Sequence, residues 1–321
     1  MPVDAAVEKV HHYFMMRVTL SLLLGFSALS FGQSVISAHS GVVQYVEGDV
    51  SIDNQPIHPK FAQFPELKPD QVIATDEGRV ELLLTPGVFL RLAENSSVRM
   101  LSNSLSDTRL AVVSGSALVE VGELLPNNSI TFGAAGAQIA LTHKGLFRID
   151  ADPARLRVYD GQARVTADDN QAVVRKGHEV ALNSPTLALT AFDTKDTDAF
   201  YRWSARRSEY VADANITSAR VANNPGSTGY VSGVGNASPY GAWSWNPWFG
   251  MFTYLPGDGM YMSPFGSTYY SPLMATSLYI PRAAPLSVGT PAVRLASSSL
   301  APVAALRSAP TSSVRSGRRG R

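Results

Sequence analysis

Arg155-Leu156-Arg157-Val158-Tyr159-Asp160-Gly161-Gln162-Ala163-Arg164-Val165-Thr166 is the stretch on which the fold turns. Successive side chains of an extended chain point to opposite faces, so the alternation on each side of Asp160-Gly161 marks a strand. Glycine takes positive φ at little cost, and Asp-Gly between two alternating runs predicts a β-hairpin.

The same pattern extends in both directions, from Gly41 to Asn183. Val42–Val46 and Val50–Ile52 flank Glu47-Gly48-Asp49, and Arg79–Leu84 and Val88–Leu92 flank Thr85-Pro86-Gly87. Each pair predicts a further hairpin. A turn glycine followed by an alternating strand recurs at Gly48, Gly87, Gly115, Gly145, Gly161 and Gly177, at irregular spacing, so no tandem repeat of fixed period is read. The expected fold is mainly β, with many short antiparallel strands in a sandwich, roll or irregular solenoid. No amphipathic helix interrupts residues 41–183.

Composition divides the 321 residues. From Tyr201 onward there are 11 Arg, no Lys and three acids (Glu209, Asp213, Asp258), a net of +8. The whole chain carries +1, so residues 1–200 carry −7. An acidic body with a basic tail is expected. Near the start, Arg17 precedes the apolar run Val18–Phe31, which is shorter than the roughly 20 residues of a spanning helix and has the layout of a secretory signal peptide. Residues 1–32 are read as that leader, with cleavage before Gln33 and Met15 or Met16 as the true start; an uncleaved short anchor is the alternative. Either reading takes the remainder to the periplasm or the exterior, with transient membrane contact during export. The absence of cysteine removes disulfides, thiolate metal sites and cysteine nucleophiles. An exported body without disulfides then depends on its own core.

In order and content, the signals of residues 41–183 resemble the periplasmic domain of the FecR family. GVVQYVEGDV at 41–50 is similar to its opening strand pair. LKPDQVIATDEGRVELLL at 67–84 resembles the following segment, with Asp70 where the family usually has glycine. VFLRLAENS at 88–96, VSGSALVEV at 113–121, VYDGQARV at 158–165 and VRKGHEVAL at 174–182 continue the likeness in the same order. One departure is His143-Lys144-Gly145-Leu146-Phe147-Arg148-Ile149, where a Gly-Thr usually precedes the strand. The resemblance implies an exported β-domain that binds another envelope component. The best-known relatives relay a transport signal to a cytoplasmic sigma factor. At most Met1–Arg17 precede the apolar run, too few residues for a core, so that relay is not expected. An envelope signalling component related to these regulators stays as an alternative.

After Pro185 the pattern changes. Asp193, Asp196 and Asp198 precede Phe200-Tyr201-Arg202-Trp203, and the run to about residue 220 predicts a helix over 194–220 with acids at its start and bases further on. The aspartates lack the glycine and terminal glutamate of a calcium loop, so they are read as N-capping residues. Phe200, Trp203 and Tyr210 are expected to dock on the β-domain. Residues 221–280 form an aromatic Gly/Pro-rich segment whose Tyr240-Gly241-Ala242-Trp243 resembles segments that follow FecR-like domains in some secreted soil-bacterial proteins. Trp243, Trp245, Trp248 and Tyr254 are its candidate binding residues, since flat aromatic faces suit sugar rings. The competing reading is a strap pinned to the domain by those same rings, whose burial offsets the entropy of ordering it. Residues 281–321 are expected to be a disordered basic tail.

Catalytic patterns are missing. His39, His58, His143 and His178 show no metal-ligand spacing, and there is no Gly-x-Ser-x-Gly elbow, phosphate loop or dinucleotide fingerprint. Asp168-Asp169 reads as a hairpin turn, not a catalytic pair. The expectation is therefore an exported binding or scaffolding protein that is not an enzyme, with no cofactor, metal or nucleic-acid partner. Its expected partner is an envelope protein or a polysaccharide, the latter held by the C-terminal aromatics.

Overall fold

A computed structural model describes residues 39–223 and 241–277. The expected leader at 1–32 and tail at 281–321 lie outside the described residues. Fifteen strands precede the long helix: β1 (Val42–Ile52), β2 (Gln55–Pro56), β3 (Val72–Leu83), β4 (Val88–Leu92), β5 (Ser96–Asn103), β6 (Asp107–Ser114), β7 (Ser116–Val121), β8 (Ser129–Ala134), β9 (Ala137–Leu141), β10 (Gly145–Ala151), β11 (Ala154–Asp160), β12 (Gln162–Ala167), β13 (Asn170–Arg175), β14 (His178–Ala181) and β15 (Leu189–Ala191). They form one continuous sheet in the order β13-β12-β9-β8-β6-β5-β3-β4-β7-β10-β11-β14-β15, with β1 on β3 and β2 on β1. All pairings are antiparallel except β6 with β8.

The sheet folds over at β3. Its first residues, Val72–Thr75, pair with β5, while Val80–Leu83 pair with β4, so β3 belongs to both layers. β1 follows it around the bend, pairing Val50–Ile52 with Ile73–Thr75 and Val42–Gly48 with Gly78–Leu83. Two glycines permit the close approach there. A Cβ on Gly48 would stand 2.2 Å from the Glu77 carbonyl oxygen, and one on Gly78 would stand 2.6 Å from the Asp49 backbone. The expected hairpin at Glu47-Gly48-Asp49 is thus corrected: the chain stays in one strand and bends instead of reversing.

Inward residues of the two layers interdigitate in one core. Ile73, Val98, Leu110, Phe132, Ile139 and Val165 come from the first layer, and Leu82, Leu90, Val119, Phe147, Leu156 and Val158 from the second. This is the sandwich among the expected architectures. The hairpin at Thr85-Pro86-Gly87 forms as read, with Val80 opposite Leu92 and Leu83 opposite Phe89.

The hairpin expected at Asp160-Gly161 does not form. β11 pairs with β10 and β14, and β12 with β9 and β13, so Gly161 carries the chain from one layer to the other. One residue separates β11 from β12, fewer than the two of the shortest common hairpin loop. Gly161 has φ +85, and its absent Cβ would lie 2.3 Å from the Lys144 carbonyl oxygen, because the crossing from β9 to β10 is stacked against it. Gly115 makes a second single-residue crossing, between β6 and β7.

The helix α1 spans Ala199–Ala222. Asp198 is its N-cap, its carboxylate accepting from the Tyr201 N–H at 2.8 Å. Phe200 and Trp203 are buried, whereas Tyr210 stays exposed at the surface against Phe249, against the expectation that it docks. Residues 242–277 then fold into two hairpins and a short helix: β16 (Ala242–Asn246) with β17 (Met251–Leu255), β18 (Met260–Met262) with β19 (Thr268–Tyr270), and α2 (Pro272–Ser277). Among the described residues no helix is long and apolar enough to cross a membrane.

Candidate functional site: the covered face and its aromatic border

The two outer faces of the sandwich differ. On the first layer the outward residues Arg99, Leu101, Val113, Gln138 and Arg164 are exposed. On the second, the outward residues Leu83, Phe89, Leu118 and Leu146 are buried under α1 and the C-terminal hairpins. This cover is what the aromatic segment builds.

Charged residues share that outward face. Glu81 lies opposite Arg91 across the β3–β4 pair, and Glu120 stands one strand further, on β7. Arg91, wholly buried, donates from Nε to Glu81 (2.8 Å) and from Nη1 to Glu120 (2.8 Å). From above, α1 supplies Arg207, whose Nη2 donates to Glu81 at 2.9 Å, and Ser208, whose hydroxyl donates to Glu120 at 2.9 Å. Gln44 donates to Glu81 at 3.3 Å and accepts from the Phe252 N–H at 2.9 Å. Two carboxylates thus meet two guanidiniums, so the buried layer is electrically balanced only with the helix in place. Burial pushes the Glu81 carboxyl up, but the Arg207 and Arg91 guanidiniums outweigh that push and hold it at about 2.

A second cluster anchors the start of α1. The Asp150 carboxylate accepts from Arg148 (2.8 Å), Arg155 (3.0 Å), Arg157 (3.1 Å) and the Ser116 hydroxyl (2.6 Å). Arg148 also pairs with the N-cap Asp198. Burial raises the Asp150 and Asp198 carboxyls, yet their hydrogen bonds and the Arg148 charge leave both below the ordinary carboxylate value.

Two asparagines lock the hairpins to the helix. The Asn215 amide donates to the carbonyls of Tyr254 (2.8 Å) and Tyr270 (3.0 Å), and its oxygen accepts from the Tyr270 N–H (2.7 Å). Asn246 donates to the Ala214 carbonyl (2.9 Å) and the Ser218 hydroxyl (3.1 Å). The Tyr254 hydroxyl donates to Glu123 at 2.6 Å; burial and that carboxylate push its pKa well above the usual phenol value.

The four candidate binding residues separate. Trp243 (4% exposed) and Tyr254 (3%) lie inside the cluster with Phe89, Phe252, Tyr261 and Tyr269, so their ring faces are spent on packing. Trp245 is half-buried, edge-on to Phe61, Phe64 and Phe252. Trp248 is 66% exposed. Phe61, 75% exposed, and Tyr210, whose ring meets Phe249 at 5.3 Å, join the same border from a loop and from α1. Neither Phe61 nor Tyr210 is among the binding residues expected from sequence; Lys60-Phe61-Ala62-Gln63-Phe64, with two aromatics in a polar loop, carries the signal for Phe61.

His58, His143 and His178 are exposed; the His143 ring meets the Thr142 hydroxyl, and that of His178 the Lys176 carbonyl. His39 faces Glu66 at 3.5 Å. Among the described residues no three His, Asp or Glu side chains converge as a metal site.

No family model matches the chain. No curated protein matches it either. Among solved structures it is similar to two crystal structures, at 2.50 and 1.65 Å, of a "putative anti-sigma factor" from Parabacteroides distasonis. The identities are 13% and 12%, the TM-score is 0.35 for both, and the match covers 43% of this chain and 64% of that one. At that score the likeness carries no argument about function.

Proposed function

We propose that this chain is an exported cell-envelope binding or scaffolding protein, built on a FecR-like β-domain and not an enzyme. The observation that carries the proposal is the distribution of aromatic side chains. The second layer is sealed by the chain's own helix and hairpins, which spend Trp243 and Tyr254 as anchors, while Phe61, Trp248 and Tyr210 stand exposed beside hairpins that buried hydrogen bonds pin to the helix. Aromatic rings have few rotatable bonds, so exposed ones bind at a modest cost in conformational entropy. The leader-like run Val18–Phe31 supports export, and the FecR-like order of strand signals supports another envelope component as the partner.

Polysaccharide is the second reading, favoured by the same exposed border. Retention of the full chain on peptidoglycan sacculi and on neutral polysaccharide beads, compared between wild type and Phe61→Ala/Trp248→Ala, decides between the two. Loss of retention in the variant supports the glycan reading. Retention equal to wild type, or no retention of either, removes it and leaves an envelope protein as the partner.

A further inference from the structure

Among the described residues the sheet path ends in two edges that no further strand pairs, β13 and β15. β15 is three residues long, but β13 has six, Asn170-Gln171-Ala172-Val173-Val174-Arg175, joined to β12 through the turn Asp168-Asp169. Natural edge strands are blunted by proline, a bulge or an inward charge. β13 has no proline, pairs with β12 in unbroken register, and turns Val174 into the core.

The direction of its main chain follows from neighbouring hydrogen bonds. Gln162 presents its carbonyl to Thr142 and His143, on the β9 side, whereas the Gly161 carbonyl accepts from the Lys176 N–H, on the β13 side. Antiparallel ladders alternate, so β12 bonds the even-numbered residues of β13, and Gln171, Val173 and Arg175 direct their N–H and C=O groups outward. The Asn170 amide donates to the Pro185 carbonyl at 2.9 Å and holds the turn in place.

Charge along this edge is ordered. Asp168 and Asp169 stand at one end, Arg175 and Lys176 at the other, all exposed, with Ala172 and Val173 between. A strand of that design is complementary to itself in the antiparallel direction. With Ala172 on a two-fold axis, Gln171 lies opposite Val173, both outward-facing. Asp169 then falls opposite Arg175 and Asp168 opposite Lys176, twice over. A parallel neighbour in register would set like charges against each other.

We propose that β13 is a self-association edge, adding β13 of a second copy of this chain antiparallel about Ala172 and continuing the first layer across both molecules. Such an isologous contact closes on itself as a dimer. A six-residue edge buries less than the roughly 1,200 Å² of a stable interface, so the dimer forms in the micromolar range or weaker. Its charged ends are exposed and screened by salt.

Sedimentation equilibrium of the full chain, from micromolar to near-millimolar concentration, tests this. Wild type is expected to dimerise, less so at high salt. Val173→Pro removes an N–H that faces away from β12, so the fold persists while dimerisation weakens by about tenfold or more. Asp169→Lys and Arg175→Glu each place like charges across the axis and are expected to sediment as monomers. Their equimolar mixture pairs Lys with Glu on one side and Asp with Arg on the other, and is expected to dimerise. This arm also covers a failure of the proline variant to fold. A wild type that stays monomeric throughout, a dimer indifferent to Val173→Pro, or a mixture no more associated than its components would overturn the proposal.

Discussion

Replacing Arg207 by Met removes one guanidinium from the buried layer and keeps most of the side chain's bulk. Glu81 then keeps Arg91 at 2.8 Å and Gln44 at 3.3 Å, but Arg91 is already shared with Glu120. The buried group passes from two carboxylates and two guanidiniums to an excess of one negative charge. Removing one partner of a buried ion pair costs roughly 3–5 kcal/mol. The Arg207 guanidinium also lies 4.0 Å from the centre of the Tyr45 ring, a contact worth about 1 kcal/mol. Set against the roughly 5–15 kcal/mol of a typical domain, this is a large loss. Urea unfolding at pH 7, followed by tryptophan fluorescence, is expected to show it as a lowered midpoint. Glu81→Gln/Arg207→Met, which removes both charges, is expected to recover most of the difference. Acid sharpens the test. A carboxyl held at about 2 against an ordinary 4.5 contributes roughly 3 kcal/mol, present above pH 4.5 and lost as the pH falls towards 2. Without Arg207 the carboxyl protonates more readily, so the gap between variant and wild type narrows on acidification. A single variant within about 1 kcal/mol of wild type at pH 7, or a double variant no better than the single, would mean that Arg207 does not balance the buried carboxylates.

Gly161→Ala forces a Cβ into left-handed backbone and against the Lys144 carbonyl; a loss of about 2 kcal/mol or more is expected in thermal or urea unfolding. Asn215→Ala leaves the Tyr254 and Tyr270 carbonyls and the Tyr270 N–H without their partner, and hydrogen exchange at β17 and β19 is expected to accelerate while the sandwich core keeps its protection. Asp198→Ala removes the N-cap and the partner of Arg148; helix content measured by circular dichroism is expected to hold, with stability reduced by about 1–2 kcal/mol.

Strand positions were readable because alternation is a local property. Val80, Leu82 and Leu84, then Val88, Leu90 and Leu92, point inward as their spacing requires. Pairing is not local. Gly161 and Gly87 look alike in sequence, yet one crosses between layers and the other closes a hairpin, and loop length separates them only once the strand ends are known. The buried charges were hidden by the same rule that found the strands. Alternation assigns Glu81, Arg91 and Glu120 to solvent, and nothing local announces that Arg207, 126 residues from Glu81, covers them. A signal was present in Leu83, Phe89, Leu118 and Leu146, apolar residues on the nominally wet face, which together call for a third layer. The candidate tryptophans lie close in sequence but divide in burial, because Trp243 sits on β16 with its ring against Phe89, whereas Trp248 lies in the turn after Asn246.

Export of this chain to the envelope is best checked by fractionating its native cells and sequencing the N-terminus of the recovered chain. Recovery is expected from the periplasm, envelope or medium, with the chain starting at Gln33 or retaining the apolar run as an anchor. Recovery from the cytosol with the Val18–Phe31 run intact overturns that reading.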